Sequence, residues 1–240
     1  MKIKHFLAKV IIRGYQTAAN NIRSLPNSMA GVFYDWDGTL IKFRGKQFLD
    51  SMNEVLSMFG HPKMQSLVGS KSIRDTFALA TKCPIKTEEA LDAFRHNFFT
   101  YPLSINDLMP GALDLLERLQ KLGLPQGVVS NLDHKALIRE IGTLGLDEYF
   151  SVVIGSTNVQ DLKPSPTLIL QALSAVGIDP SRSVYVGDSL GDVTAAIAAG
   201  CTSVLVGTSV PEASSDIIVT NLSEFGNMIA GALTISGDLS

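Results

Sequence analysis

The sequence is poor in the features that mark secreted, membrane-spanning or nucleic-acid-binding chains. Two cysteines occur in 240 residues, Cys83 and Cys201, 118 positions apart. So sparse a pair excludes a disulfide scaffold, offers no metal or redox spacing, and makes a reducing compartment the expectation. No run of 18 or more apolar residues appears, so no transmembrane helix is expected. Acidic residues are missing from residues 1–30, which carry Lys2, Lys4, Lys9, Arg13 and Arg23. Against a chain total of −3, residues 31–240 therefore hold −8. A body so acidic excludes general nucleic-acid binding, whose affinity comes largely from cationic side chains.

What is present is material for a buried core. Hydrophobic residues make up 45% and charged residues 18%, a globular composition in a length that suits one enlarged domain or a core with a second module. At the N-terminus, Ile3, Phe6, Leu7, Val10 and Ile11 recur at helical spacing with lysines between them. Three readings fit this basic extension of residues 1–30: an accessory helix, an organellar transit peptide, or a membrane-surface anchor. The expected location is cytoplasmic, with organellar import as the alternative.

Beyond it, short Val- and Ile-rich runs at Val32–Tyr34, Gly127–Val129, Val152–Ile154, Val184–Val186, Val204–Val206 and Ile217–Val219 read as buried strands. Helical spacing fills Leu113–Leu122, Lys135–Leu144, Thr167–Val176 and Val193–Ala199. Pro110, Pro164 and Pro166 stand where helices should start, and Gly123, Gly145, Gly177 and Gly200 where they should stop. This alternation predicts an α/β fold, a Rossmannoid three-layer core with a mostly parallel sheet. One interval breaks the rhythm. From Ile41 to about Leu108 only helical patterns appear, at Phe48–Phe59, Ser72–Ala80 and Glu88–Phe99. The predicted organisation is thus a core of 31–42 and 108–240 and a small all-helical insertion of 43–107, too large for a loop.

Ligands of a parallel α/β sheet bind at the carboxyl ends of its strands. Those ends supply Asp35-Trp36-Asp37-Gly38-Thr39, then Ser130-Asn131, then Lys163-Pro164, then Gly187-Asp188-Ser189 with Asp192. Each group alone has a plain explanation: an Asx turn, a helix cap completed by Asp133, a surface lysine, acids at a helix start. One site explains all four together. Carboxylates crowded at one place repel unless a cation neutralises them, and hard oxygen ligands suit Mg²⁺.

These four ordered motifs resemble those of the haloacid dehalogenase-like hydrolase superfamily, over about Val32 to Gly207. The stretch Gly155–Asp192 is most similar to its phosphoglycolate phosphatase and β-phosphoglucomutase branch, whose helical cap follows the first motif. The resemblance implies hydrolysis of small-molecule phosphomonoesters through an aspartyl-phosphate. Asp35 would be nucleophile and metal ligand, Asp188 and Asp192 metal ligands, and Asp37 the acid and base, with its backbone carbonyl on the metal. Ser130, Asn131 and Lys163 would hold the phosphoryl oxygens. Thr39 and Gly38 would shape the turn.

Asp37 separates relatives: dehalogenases have no carboxylate there, and phosphonatases carry a small residue and need a cap lysine. The alternative activity is a sugar phosphomutase, in which a sugar hydroxyl replaces water. A phosphonoacetaldehyde hydrolase-like enzyme, a phospho-receiver switch and a non-catalytic binding protein on this fold fit less of the motif set. In the cap, Gly69-Ser70-Lys71-Ser72-Ile73-Arg74 lies where the branch has its specificity loop. Lys71 and Arg74 are the candidates there, Arg74 either for a substrate anion or simply as a solvated helix-start residue. Lys42-Phe43-Arg44 departs from the Val-Asp-Ser type usual in the branch. Trp36 is expected at the junction of core and cap, and His134 as an ordinary helix-end residue.

Overall fold

Successive side chains of each strand point to opposite faces of the sheet, and both faces are apolar. In the computed structural model, which describes residues 25–26, 28–66, 73–99, 101–157, 161–207 and 215–237, six strands form one parallel sheet. They are β1 (Gly31–Tyr34), β2 (Gln126–Asp133), β3 (Val152–Ser156), β4 (Ser183–Gly187), β5 (Thr202–Val206) and β6 (Ile217–Val219), in the order β3-β2-β1-β4-β5-β6. Val32, Tyr34, Val128, Val184 and Val186 pack on one face with the helices α4 (Ala112–Lys121), α5 (His134–Leu144) and α8 (Leu222–Gly237). Phe33, Val129 and Tyr185 pack on the other, among the apolar residues of α6 (Thr167–Val176) and α7 (Leu190–Ala199). A sheet covered on both faces needs strands apolar throughout; the expected Rossmannoid α/β architecture is what forms.

The chain divides into two compact units, Met1–Ile41 with Leu108–Ser240, and Lys42–Asp107. In the second, α1 (Gly45–Met58), α2 (Ile73–Thr81) and α3 (Pro84–Phe99) close on an aromatic centre in which Phe48 meets Phe94 edge-on at 4.9 Å and Phe94 stacks on Phe98 at 5.5 Å. The expected helix over 1–30 falls almost wholly outside the described residues, as does Lys71; Leu25, which is described, packs into the first core face. Among the described residues no helix is long and apolar enough to cross a membrane.

The helix boundaries follow local chemistry. Gly145, Gly177 and Gly200 end α5, α6 and α7 in the left-handed conformation, which glycine adopts without a Cβ penalty. Pro166, not Pro164, stands immediately before α6. Helix α8 went unread in the sequence because Gly226 and Gly231 interrupt its pattern; Phe225 and Ile229, both fully buried, seat it on the sheet unit.

Candidate active site

Strand order puts β1 between β2 and β4, so the chain turns in opposite directions on either side of it. The crevice above such a reversal is where doubly wound sheets bind ligands. Asp35 leaves β1 at this point, its N–H donating to the Val186 carbonyl at 2.9 Å. The next residues close a tight loop: the Trp36 carbonyl accepts from Leu40 and Ile41, both at 3.0 Å, and Gly38 donates to Ile41 at 2.8 Å. Gly38 has φ +85°, and a Cβ there would lie 2.3 Å from Asp188 Oδ2. Glycine is therefore required twice, for the turn and for the approach of Asp188. Asp37 sits half-buried on this loop.

Trp36 is fully buried in the core of the sheet unit, with its indole N–H donating to Glu140 Oε2 of α5 at 2.8 Å. The ring is a buried anchor that ties the β1 loop to the helix following the β2 loop.

Ser130 and Asn131 lie in the second half of β2, where the register with β3 shifts before Asp133. Ser130 is buried, and its hydroxyl accepts from the Leu132 N–H at 3.1 Å. Asn131 braces the lysine loop: its Oδ1 accepts from the Lys163 N–H at 2.8 Å and its Nδ2 donates to the Lys163 carbonyl at 3.2 Å. Asp133 caps α5, accepting from Lys135 and Ala136 at 3.1 and 3.2 Å.

Lys163 is the hub. Its ammonium donates to Asp35 Oδ1 at 2.6 Å, Asp192 Oδ1 at 2.7 Å and Tyr185 Oη at 2.9 Å, with the Val129 carbonyl at 3.2 Å. The surface-lysine reading is thereby overturned, since the side chain is 4% exposed. Asp192 joins the plain reading to the functional one. Its Oδ2 accepts from the Ser189 N–H at 3.1 Å and hydroxyl at 2.5 Å, completing a capping box at the start of α7. Thr39 points its hydroxyl toward Asp188 Oδ1 at 3.5 Å.

Asp35, Asp188 and Asp192 each offer a carboxylate oxygen within a 4.8 Å cluster. Burial, then the neighbouring Asp192, push the Asp35 carboxyl up to about 8 despite the opposing pull of Lys163. Burial and Asp192 likewise push Asp188 up to about 6. Burial disfavours the Lys163 ammonium, yet Asp35, Tyr185 and Asp192 hold it well above the ordinary lysine range. One ammonium thus stands among three carboxylates, which is the electrostatic signature of a cation site. All three donors are hard oxygens, and they fit a magnesium-class ion.

Of the two specificity candidates, only Arg74 is among the described residues. Arg74 forms an ion pair with Glu88 inside the helical unit, its second contact at 3.4 Å, and Lys71 is outside the described residues. Tyr185 was missed by the sequence reading. Its one signal is a phenol in a strand where the other fully buried positions are aliphatic or small.

Comparison with known proteins gives a consistent result. Residues 32–206 match the model of the haloacid dehalogenase-like hydrolases. A phosphoglycolate phosphatase of Escherichia coli (strain K12) is 39% identical over 124 residues, 50% of this chain and 49% of that one; the matched segment thus spans about half the length of that relative. A phosphoglycolate phosphatase of Chromobacterium violaceum is 33% identical over 82% of this chain and 95% of its own. A crystal structure of a predicted phosphoglycolate phosphatase from Haemophilus somnus 129pt superposes with a TM-score of 0.73 over 84% of this chain and 98% of that chain, at 22% identity, a likeness of fold.

Proposed function

We propose, for a chain that belongs to the haloacid dehalogenase-like hydrolase family, that it is a phosphatase of small phosphorylated metabolites. One observation carries the reading: Lys163 grips Asp35 Oδ1 at 2.6 Å where strand order reverses, within the cluster shared by Asp188 and Asp192. A carboxylate so held is oriented for attack and has a fixed positive charge beside it for phosphoryl oxygens.

In this reading Asp35 forms a bond to phosphorus as the ester P–O bond breaks, and Asp37 gives its proton to the departing alkoxide. Water then attacks the aspartyl-phosphate, passes a proton to Asp37 and releases inorganic phosphate from Asp35. Ser130 and Lys163 hold the phosphoryl oxygens, while Asn131 sets the loop that delivers Lys163. Asp35 and Asp188, with the backbone carbonyl of Asp37, would hold Mg²⁺, supported by Asp192. When bound it supplies positive charge to the phosphoryl oxygens and relieves the repulsion among the acids. The unit Lys42–Asp107 would act as the cap that selects substrate, with Arg74 exchanging Glu88 for a substrate anion and Lys71 nearby in sequence. The acidic body and the absence of a membrane-length helix among the described residues suit a cytoplasmic enzyme acting on soluble metabolites.

The test is a panel of phosphomonoesters assayed with Mg²⁺ and with chelator, alongside a sugar-phosphate isomerisation assay. Phosphate release that chelation abolishes supports the reading. Inactivity on every ester sinks it, and isomerisation faster than release makes the protein a mutase.

Metal removal has a thermodynamic consequence as well. With Asp35 near 8 and Asp188 near 6, the native state binds more protons than the unfolded chain above about pH 4. Its stability therefore falls as pH rises from there toward about 8. Mg²⁺ competes with those protons, so it should raise the melting temperature more at pH 8 than at pH 5. At a concentration about 100 times Kd the gain is about 2.7 kcal/mol. Calorimetry at the two pH values checks this; an equal Mg²⁺ effect at both would place the ion elsewhere.

A further inference from the structure

Tyr185 sits in the middle of β4 between Val184 and Val186, 1% exposed, on the sheet face that it shares with Phe33 and Leu168. Packing alone would favour phenylalanine there, since a buried hydroxyl is costly unless hydrogen-bonded. Its hydroxyl is bonded twice, with roles that admit one assignment. A phenol has one proton. Oη donates it to the Val129 carbonyl at 2.8 Å, so toward the Lys163 ammonium at 2.9 Å it can act only as acceptor.

We infer that Tyr185 is a positioning residue for phosphoryl transfer, its hydroxyl fixing the direction of the Lys163 ammonium and fastening the end of β2 to β4. An ammonium has three protons, and its three shortest contacts are Asp35 at 2.6 Å, Asp192 at 2.7 Å and Tyr185 at 2.9 Å. The Val129 carbonyl is farther, at 3.2 Å, and already receives the phenol proton. With two carboxylates alone the ammonium could turn about the line between them; the third acceptor stops that rotation. The same hydroxyl reaches past β1, because β2 and β4 are its neighbours on opposite sides. Val129 immediately precedes Ser130, and Tyr185 stands three residues before Asp188. Tyr185 therefore sets the phosphate-holding residue, the lysine and a metal-cluster aspartate in one frame. This inference rests on the phosphatase reading above for its catalytic meaning, though not for its geometry.

The test is Tyr185→Phe in the full chain, which keeps the ring and removes one oxygen. Tyr34→Phe is the control: Tyr34 is also fully buried, but its hydroxyl donates to Gln126 at 3.0 Å, on the other face of the sheet. With Mg²⁺ and an ester that the wild type hydrolyses, Tyr185→Phe should lower kcat by about 10- to 100-fold, the range for residues that orient an active-site group. KM should stay within about twofold, and inhibition by orthovanadate should weaken about as much as kcat falls. The control should keep kcat within about twofold. A kcat for Tyr185→Phe that matches the control, or a loss confined to KM, overturns the inference. If the wild type releases phosphate from no ester, the phosphatase reading has failed and the geometry is judged by urea unfolding. Tyr185→Phe should then shift the midpoint more in the chain that has Lys163 than in Lys163→Met, where only the bond to Val129 is lost, both compared in an Asp35→Asn background to ease the charge left behind. Equal shifts in the two would refute the contact.

Discussion

Asp35→Asn should lower phosphate release by about 10⁴-fold or more, while giving a folded protein that, without metal, melts higher than the wild type at pH 8. Both effects come from the same buried carboxylate. Asparagine is nearly isosteric and can still accept from Lys163 through its carbonyl, but its amide cannot form the acyl-phosphate. It also removes a negative charge that burial and Asp192 oppose strongly enough to raise the Asp35 carboxyl to about 8. In the wild type that charge is about half present at pH 8 and largely absent at pH 5. The gain in melting temperature should therefore be larger at the higher pH and smaller at the lower. Phosphate release and thermal unfolding at both pH values are the measurements. Residual turnover near the wild-type rate would remove Asp35 as nucleophile, and a variant less stable than wild type at pH 8 would contradict the charge balance described.

Lys163→Met should have the largest effect on stability. The side chain is 4% exposed and its two ion-pair partners, Asp35 and Asp192, are 12% and 2% exposed. Removing one member of such a buried cluster leaves the others without compensation, at a cost of about 3–5 kcal/mol. The cost should be greatest at pH 8 and smaller at pH 5, where Asp35 can take up a proton instead of bearing an unpaired charge. Turnover should fall too, because the phosphoryl oxygens lose their fixed cation. Denaturant unfolding of wild type and variant at the two pH values checks the first claim. A pH-independent loss would mean that packing of the methylene stem, rather than charge, accounts for the result.

Much of this was legible from the residues. The strands were readable because buried parallel strands are short and Val-rich, and the helix ends because left-handed caps select glycine at Gly145, Gly177 and Gly200. The motif residues were readable because strand ends are where such sheets place chemistry. What escaped had a physical reason in each case. Helix α8 is held by tertiary packing of Phe225 and Ile229 against a pattern broken by glycine. Trp36 follows Asp35 in sequence, and only the fold shows its indole turned inward to Glu140. Tyr185 lay inside a strand that reads as core, and nothing in spacing reveals that its oxygen meets a lysine 22 residues away.

Asn131 has an effect that extends past its own position. Its side-chain amide offers one donor and one acceptor to the backbone of Lys163, the same pair a peptide group would offer. The side chain thus imitates one rung of a β-ladder beyond the point where β2 and β3 lose register. The lysine loop acquires the alignment of a strand without having to be one. The demand for accuracy falls on a single asparagine and a single peptide group.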